Sequence, residues 1–487
     1  MKLYETLKKH FGYHSFRKGQ EEVITSILAG QDTLAVLPTG TGKSLCYQIP
    51  GYMLPGTVVI VSPLLSLMQD QVEQLRINGE KKVVALNSFL SIQERKKILQ
   101  SLQYYRFIYI SPEMLTNQVV IQKLKKIVVS LFVIDEAHCI SQWGHDFRPD
   151  YLCLKEVRLH LGNPVTLALT ATATDDVRND IIHYLNLNKV NELIFSVDRP
   201  NIALVVEETA NYQEKTNKLL QLVKGLQKPG IIYFSSKRVS EEIATLLRKH
   251  GIAKAESYHG GMDQEQRILI QQQFLHDQLQ VICATSAFGM GVNKENIRFV
   301  IHFHMPYQIE SYLQEIGRAG RDGEKSIAIL LYSSGDELLP LQIFENELPT
   351  EFQIEQFYAI NNEHNSEREI AFLNLTDIQL RFLNFYSELF KGETEVVQKV
   401  KKICEERVKY KRLKLQEMKK WIQSTNCRRR GILQYFNEKP ISQNYNCCDK
   451  CGIQMNDYNM KDLDVFIEEK ENWLSMLNKL LLRGDKA

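Results

Sequence analysis

Short, continuous apolar runs alternate with longer stretches of helical periodicity over roughly the first two thirds of the chain. The runs occupy residues 33–37, 58–61, 107–110, 131–134, 167–169, 231–234, 281–284, 299–301 and 327–330. Strands that are buried on both faces of a parallel sheet have this pattern. The alternation of strand and helix signals therefore predicts an α/β fold class with two doubly wound parallel-sheet domains.

The chain is predicted to divide into four segments. We expect a first α/β domain, a second α/β domain, a mainly helical unit and a short tail, which occupy residues 1–197, 198–340, 341–455 and 456–487. Asp198-Arg199-Pro200-Asn201 is a plausible linker between the two α/β domains. Beyond Pro340 the pattern becomes helical, and the stretch 350–410 is read as extra helices of unknown role.

Composition agrees with several folded domains and says little about function. With 487 residues the chain is too long for one hydrophobic core, and its 44% apolar and 24% charged residues are ordinary for a globular protein. The first residues lack the apolar core of a signal peptide, and no stretch has the length of a membrane span. We therefore expect no membrane partner and a cytoplasmic location, associated with the nucleoid if the source is bacterial.

Positive charge is concentrated in the helical unit rather than in the chain as a whole. The formal net charge is only +2, but residues 381–431 contain 15 Lys/Arg against 6 Asp/Glu. Such a run is usually a solvated helix face. It indicates a nucleic-acid surface only if other features of the chain point the same way.

A glycine-rich stretch follows the first apolar run and precedes a helical pattern. Its sequence is Leu37-Pro38-Thr39-Gly40-Thr41-Gly42-Lys43-Ser44. Backbone N–H groups of such a turn surround phosphates, because glycine allows close approach and a helix N-terminus favours anions. Lys43 is expected to neutralise the β- and γ-phosphates, and the Ser44 hydroxyl to ligate Mg²⁺.

Two further clusters supply the remaining parts of an ATP site. Asp135 and Glu136 end an apolar run, where Asp135 is a candidate Mg²⁺ ligand and Glu136 a candidate for polarising the attacking water. Downstream, Gln314, Arg318 and Arg321 form a polar segment whose arginines are candidates for contacting the γ-phosphate from the second domain. Acidic residues directly after a buried strand are costly unless they bind something, whereas the arginine segment alone could be a solvated basic turn. Their combination predicts an ATP-hydrolysing enzyme with its catalytic groups on both domains.

The segment after the acidic pair narrows the prediction to one family. Ser141-Gln142-Trp143-Gly144-His145-Asp146-Phe147-Arg148-Pro149, taken with the motifs above, resembles the RecQ family of superfamily 2 DNA helicases. The resemblance implies two RecA-like domains and a helical zinc-binding subdomain. It also implies contacts of Trp143, His145, Phe147 and Arg148 with single-stranded DNA, in which aromatic rings stack on bases. The alternative is that Trp143 and Phe147 are core aromatics.

The same resemblance assigns the adenine site. Residues 11–20 are similar to the adenine-reading motif of the family. The amide of Gln20 both donates and accepts hydrogen bonds, as the adenine edge requires, while Tyr13 and Arg17 are suited to covering the ring.

Four of the nine cysteines lie close together near the end of the helical unit. Cys427, Cys447, Cys448 and Cys451 match the zinc ligands of the family, and four thiolates make a closed structural site. Cys447 is the least certain ligand, because Cys447 and Cys448 are adjacent, whereas relatives usually separate the middle two ligands. The alternative is that the thiols pack as small apolar groups.

The resemblance implies an ATP-dependent DNA helicase, with ATP, Mg²⁺ and Zn²⁺ as cofactors, 3′→5′ polarity and a role in DNA repair or recombination. Single-stranded and forked DNA are the implied partners, with a single-stranded-DNA-binding protein as a further candidate, and we expect a monomer. After Cys451, 36 residues remain, too few for a winged-helix or HRDC domain, so a short form is expected. The alternatives are an RNA-stimulated ATPase of the same superfamily and a zinc-containing DNA-binding scaffold.

Overall fold

A parallel sheet of seven strands organises the first part of the chain. The structure is a computed structural model that describes residues 2–88, 90–141, 148–288, 294–362, 372–439 and 446–460. The strands of the first sheet are β1 (Thr33–Val36), β2 (Thr57–Val61), β3 (Val83–Leu86), β4 (Phe107–Ile110), β5 (Val129–Ile134), β6 (Thr166–Thr170) and β7 (Asn191–Ile194). They lie in the order β3-β4-β2-β5-β6-β1-β7, and their pairings are parallel.

Helices connect these strands and cover both faces of the sheet. They are α1 (Lys2–Phe11), α2 (Gln20–Leu28), α3 (Leu45–Met53), α4 (Leu65–Ile77), α5 (Ile92–Gln100), α6 (Gln118–Leu124), α7 (Leu154–His160) and α8 (Asp175–Leu185). Every residue of β1, β2, β4 and β6 is buried, since one apolar cluster packs on each face of the sheet. This explains why these strands are continuous apolar runs.

A second parallel sheet of six strands follows the linker. Its strands are β8 (Ile202–Glu208), β9 (Gly230–Tyr233), β10 (Ala255–Tyr258), β11 (Val281–Ala284), β12 (Phe299–His302) and β13 (Ser326–Tyr332), in the order β10-β11-β9-β12-β13-β8. The connecting helices are α9 (Tyr212–Gly225), α10 (Lys237–Lys249), α11 (Gln264–Leu275) and α12 (Ile309–Ile316). The two sheets confirm the predicted α/β fold class with two doubly wound domains. We call them lobe 1 and lobe 2.

The third unit contains five helices among its described residues. They are α13 (Leu338–Glu345), α14 (Glu351–Asn362), α15 (Asp377–Leu389), α16 (Val396–Gln423) and α17 (Arg428–Tyr435). Helices α14 and α15 and the first half of α16 enclose a separate apolar core around Phe357 and Leu383. We call this part, residues 348–408, the helical insert. It contacts lobe 1, because α15 lies against the 3₁₀ turn Pro149–Cys153.

Most of the basic residues of α16 form ion pairs with glutamates of the third unit. Lys401 pairs with Glu355 of α14, and Arg412 pairs with Glu345 of α13 at 2.7 Å between Nη2 and Oε1. Further ion pairs join Lys399 to Glu393, Lys411 to Glu347 and Lys419 to Glu337. The local excess of positive charge therefore serves mainly to attach α16 to its neighbours, and it is weak evidence for a nucleic-acid surface.

The second half of α16 and α17 have no core of their own. Met418, Trp421, Ile432 and Leu433 belong to the same apolar cluster as the residues on one face of the second sheet. We call α16 from Lys414 onward, α17 and the following cysteines the zinc module. Because it shares the core of lobe 2, the zinc module and lobe 2 form one folding unit.

Several predicted features fall outside the described residues, and four strands were not predicted. Trp143, His145 and Phe147 are among the residues that the structure does not describe, as are residues 461–487 of the predicted tail. The strands missing from the prediction are β3, β7, β8 and β10. Among the residues that are described, none of the helices combines the length and the apolar character of a membrane span.

The separate core of the helical insert generates a stability prediction. Phe357 is fully buried, so Phe357→Ala should lower the local unfolding free energy of the helical insert by about 3–5 kcal/mol through lost burial and a cavity. Hydrogen exchange should show faster exchange for amides of α14 to α16, with β1 to β13 unchanged.

Phe352→Ala, on the same helix but 64% exposed, is the matched control and should change exchange little. Equal acceleration across both sheets in Phe357→Ala would show that the helical insert does not open independently.

Candidate active site and metal centre

The glycine-rich loop lies between the end of β1 and the start of α3. Gly40 and Gly42 have φ values of 85° and 72°, a conformation that glycine adopts without strain. A Cβ atom on Gly40 would also lie 2.9 Å from Cγ of Arg321 in lobe 2. Glycine is therefore needed here both for the turn and for close approach of the second lobe.

The three residues predicted to hold adenine lie beside this loop. The Gln20 amide donates from Nε2 to the carbonyls of Thr41 at 2.7 Å and Gly42 at 3.0 Å. The Arg17 guanidinium donates to the Gly40 carbonyl, and it faces Glu295 of lobe 2 with 3.6 Å between Nη2 and Oε1. Tyr13 lines the same cleft and is 55% exposed, which leaves its ring free to cover a flat group.

The acidic pair stands at the carboxyl end of β5. Glu136 has a φ of 48°, and its backbone N–H donates to Oδ1 of Asp135 at 3.0 Å. Burial and the neighbouring Glu136 charge raise the pKa of Asp135 to about 7, and the nearby Lys43 ammonium opposes this rise. Asp135 is thus a carboxylate whose ionised form gains from an added cation.

His138 links the acidic pair to the end of β6. Its Nδ1 lies 3.4 Å from Oε2 of Glu136 and 2.9 Å from the Thr170 hydroxyl. The His138 side chain is 2% exposed, so its position is fixed by these neighbours and by packing. A shift of the loop after β6 would therefore change the position of Glu136 through His138.

Lobe 2 supplies the opposite wall of the cleft. Gln314 lies on α12, and Arg318 and Arg321 lie on the turns that follow this helix. Burial, and then the charges of Arg318 and Arg199, lower the pKa of Arg321 to about 9. The residues of the two lobes that line this one cleft include Lys43, Ser44, Asp135, Glu136, Gln314, Arg318 and Arg321. The structure therefore brings together the predicted ATP-site residues of both lobes.

Of the predicted DNA-contacting residues, only Arg148 is described. Its Nη1 donates to the Pro63 carbonyl at 2.9 Å, and its backbone N–H donates to the Cys139 carbonyl at 2.9 Å. Nearby, the Tyr151 hydroxyl donates to the Asp135 carbonyl at 3.0 Å. Arg148 is therefore held by the loops that follow β2 and β5.

Arg199 is a residue of this region that the sequence prediction treated only as part of a linker. Its guanidinium donates to the carbonyl of Thr39 in lobe 1 at 2.9 Å and to that of Gly317 in lobe 2 at 3.1 Å. The one signal in the sequence is an arginine in the short predicted linker between the two α/β domains. That signal does not say which carbonyls the guanidinium reaches.

The four clustered cysteines converge on one point. Their sulfur atoms all lie within 4.8 Å of one another, with Cys427 and Cys447 at 3.6 Å and Cys427 and Cys448 at 3.9 Å. Sulfurs at the corners of a tetrahedron around zinc, with Zn–S near 2.3 Å, lie about 3.8 Å apart. The spacing of the four sulfurs therefore fits a four-thiolate zinc ion, and the adjacent Cys447 and Cys448 both belong to the cluster.

The surroundings of the cysteines are held by Arg428. Its guanidinium donates to both carboxylate oxygens of Asp449, with 3.0 Å between Nε and Oδ1. It also donates to the carbonyls of Trp421 and Ile422 at the end of α16. These contacts fix the loop with the last three cysteines against the helix that follows Cys427.

Comparisons with known proteins agree with this arrangement. The DEAD/DEAH box helicase model matches residues 17–180, the helicase conserved C-terminal domain 214–323 and the RecQ zinc-binding model 394–452. A probable ATP-dependent DNA helicase RecS of Bacillus subtilis is 46% identical over 98% of both chains. The chain belongs to the RecQ family of ATP-dependent DNA helicases.

Two RecQ helicases that this chain matches are longer than it is. The RecQ helicase of Haemophilus influenzae is 46% identical over 68% of this chain, but that match spans only 53% of the relative. The RecQ helicase of Bacillus subtilis is 37% identical over 92% of this chain and 66% of the relative. The chain thus spans about half to two thirds of these two RecQ proteins.

Solved structures confirm the fold. The helicase Lhr of Mycobacterium smegmatis, bound to single-stranded DNA and AMP-PNP, superposes with a TM-score of 0.58 at 20% identity over 70% of this chain and 48% of that one. Dbp5 of Saccharomyces cerevisiae, bound to RNA and ADP BeF3, gives 0.56 at 18% identity over 70% of this chain and 90% of that one. Both agree with the two predicted RecA-like lobes.

The cysteine geometry generates a prediction about the metal. Elemental analysis should give one zinc per chain, and Cys427→Ser or Cys451→Ser should lose the metal and yield poorly soluble protein, because metal binding and folding are coupled in such modules. Cys447→Ser tests the least certain ligand and should also reduce zinc content.

Cys404→Ala is the control, since Cys404 is buried in the helical insert and belongs to a different apolar cluster from the four thiols. Full zinc content in Cys447→Ser would show that this thiol only packs beside the site.

Proposed function

We propose that the chain is an ATP-dependent DNA helicase that moves 3′→5′ along single-stranded DNA and separates duplex DNA. The observation that carries the proposal is the shared cleft, in which Lys43, Asp135 and Glu136 of lobe 1 face Arg318 and Arg321 of lobe 2. Family membership supports the choice of DNA as substrate, because the RecS and RecQ relatives are named as DNA helicases.

The residues around the glycine-rich loop have complementary tasks in this proposal. The backbone N–H groups of Thr39 to Gly42 and the Lys43 ammonium bind the phosphates, while Gln20, Tyr13 and Arg17 hold the adenine. The Ser44 hydroxyl and the Asp135 carboxylate are suited to hold Mg²⁺, which supplies charge compensation for the phosphates. The rise in the pKa of Asp135 supports this assignment, because a cation would favour the ionised form.

Hydrolysis requires groups from both lobes. Glu136 is placed to orient the attacking water, and Arg318 and Arg321 are placed to stabilise charge that develops on the γ-phosphate. These arginines belong to lobe 2, so turnover depends on how close the lobes are. Cycles of closing and opening can therefore move the lobes along a DNA strand.

The DNA contact in this proposal is the segment 142–148. Arg148 supports it, since its contacts with Pro63 and Cys139 connect the segment to loops beside the acidic pair. DNA bound there can change the position of Glu136 through the shared loops. We further propose that the protein acts as a monomer on single-stranded and forked DNA, with a single-stranded-DNA-binding protein as a candidate partner, in repair or recombination.

One alternative function differs from the proposal in the nucleic acid that stimulates ATP hydrolysis, and the other involves no ATP hydrolysis. An RNA-stimulated ATPase would release phosphate with RNA oligomers, and a DNA-binding scaffold would release none. We expect phosphate release to be stimulated by single-stranded DNA, and a strand-displacement assay to show unwinding of forks and 3′-tailed duplexes in preference to 5′-tailed ones. Stimulation by RNA but not by DNA would overturn the proposal.

Lys43→Ala tests the ATP site. It should abolish phosphate release and unwinding while preserving the fold and most DNA binding, because Lys43 acts on phosphate charge and lies in an open cleft. Circular dichroism and DNA binding serve as controls for folding. Turnover close to that of the unmodified protein would contradict the assigned role.

Arg148→Ala and Trp143→Ala test the link between DNA and ATP. Basal hydrolysis should persist in both, while stimulation by DNA falls and unwinding is largely lost. The measurement is the ratio of phosphate release with and without a single-stranded oligomer. Normal stimulation in both variants would mean that the segment is structural.

A further inference from the structure

Arg199 joins two backbone segments that belong to different lobes. Its Nη1 donates to Thr39 of the glycine-rich loop at 2.9 Å and to Gly317 at 3.1 Å, and its Nη2 donates to Ala319 at 2.9 Å and Gly320 at 2.6 Å. One planar guanidinium therefore holds carbonyls on both sides of the nucleotide cleft. Three of the four carbonyls lie in lobe 2.

The three lobe 2 carbonyls belong to the segment that carries the candidate γ-phosphate arginines. Gly317 and Ala319 are the neighbours of Arg318 in the sequence, and Gly320 directly precedes Arg321. By fixing this backbone, Arg199 determines the positions of the Cα atoms from which the side chains of Arg318 and Arg321 extend. The Asn201 amide adds to the same anchor, since its Nδ2 donates to the Gly320 carbonyl at 2.8 Å.

The contact between the lobes is tight at this point. A Cβ atom on Gly317 would lie 1.7 Å from Oγ1 of Thr39, and one on Gly40 would lie 3.3 Å from Nη1 of Arg199. A displacement of Arg199 is therefore transmitted to the backbone around it. Misplacement of reacting groups by about 1 Å costs on the order of 10²-fold in rate.

The zinc module holds the linker in which Arg199 lies. Arg429, the second residue of α17, forms an ion pair with Asp198 and donates to the carbonyls of Arg199 at 2.9 Å and Ile202 at 2.6 Å. Cys427 of the four-thiol cluster directly precedes this helix. A continuous series of contacts thus runs from the metal centre through Arg429 to the backbone of Arg199.

A second contact attaches the zinc module to the two residues that directly precede this linker, and it does not involve Arg199. Glu438 accepts hydrogen bonds from the Ser196 hydroxyl and from the Val197 backbone N–H, the latter at 2.9 Å. Glu438 and Arg429 therefore both attach the zinc module to the linker region, and of these two residues only Arg429 contacts Arg199. A variant of each residue can therefore distinguish a specific effect on the cleft from a general loss of this attachment.

We propose that Arg199 is a positioning residue for ATP hydrolysis and that the zinc module sets its place through Arg429. The inference rests on the proposed function, because it concerns the rate of hydrolysis in the same cleft. Arg199 does not contact the reacting phosphate in this scheme. It aligns the segment of Arg318 and Arg321 with the glycine-rich loop, and it releases Thr39 when the lobes separate.

Steady-state kinetics of DNA-stimulated hydrolysis by the zinc-loaded, full-length chain test the role of Arg199. Arg199→Ala should lower kcat by about 10²-fold, with little change in the KM for ATP, because alignment matters in the transition state more than in ground-state binding. Arg199→Lys should recover little, since one ammonium nitrogen cannot take the positions of both Nη1 and Nη2 and so cannot replace all four hydrogen bonds of the guanidinium. Retention of the unmodified kcat in Arg199→Ala would overturn the proposal.

A double-mutant comparison tests the route through the zinc module. Arg429→Ala should lower kcat without loss of zinc, and the double variant of Arg199 and Arg429 should be no slower than Arg199→Ala, because both changes act on one group. Glu438→Ala is the matched control and should lower thermal stability but not kcat. If Glu438→Ala lowers kcat as much as Arg429→Ala, general docking explains the effect and the proposed route is wrong.

The unmodified protein distinguishes this inference from the function on which it rests. Absence of DNA-stimulated hydrolysis in the zinc-loaded, unmodified chain would contradict the proposed function. Normal hydrolysis in the unmodified chain together with normal kcat in Arg199→Ala and Arg429→Ala would contradict only the positioning role.

Discussion

Burial of the two parallel sheets on both faces is the constraint on which the site depends. A strand covered by helices above and below has no room for an unpaired charge along its length, so charged groups are confined to the strand ends. Asp135 and Glu136 follow β5, the glycine-rich loop follows β1, and Thr170 ends β6. The register of the strands therefore determines the relative positions of these groups in the cleft. The second lobe forms the opposite wall of the cleft.

Charge in the third unit has a different role from charge in the cleft. Basic residues of α16 pair with glutamates on and near α13 and α14, as Lys401 does with Glu355. Each exposed pair contributes little alone, but together they fix the direction of a helix of 28 residues. Arginines of the zinc module instead contact backbone carbonyls and carboxylates at the junction of the units. Arg428 and Arg429 donate in several fixed directions, which a lysine at either position would not do.

The sequence was sufficient where the determinants are local. Continuous apolar runs predicted nine of the thirteen described strands. The glycine-rich loop, the acidic pair and the cysteines are short motifs that the fold places as whole pieces. The family resemblance was confirmed by the comparisons. The roles of the individual site residues and the boundaries of the four segments stay predictions, and Trp143, His145 and Phe147 lie outside the described residues.

Where contacts join distant parts of the chain, the sequence was insufficient. Strand β7 alternates half-buried and exposed residues, and β10 contains Glu256, so neither is a continuous apolar run.

Arg199 is one residue of a short linker, and its four acceptors lie up to 160 positions away in sequence. Nothing local distinguishes it from a solvated arginine. The same holds for the pairing of α16 lysines, because their partners are set by helix packing.

The shared core of lobe 2 and the zinc module has a consequence for how the chain matures during synthesis. One face of the second sheet is covered by Met418, Trp421 and Leu433, which the ribosome adds long after the last strand, β13, has emerged. Until then the part of this face that these residues cover stays exposed, whereas the described apolar clusters of lobe 1 are built from residues of lobe 1 itself. Chaperone dependence and the timing of metal delivery should accordingly be properties of the second lobe, because the cysteine loop, which packs on β8, lies near the end of the described chain.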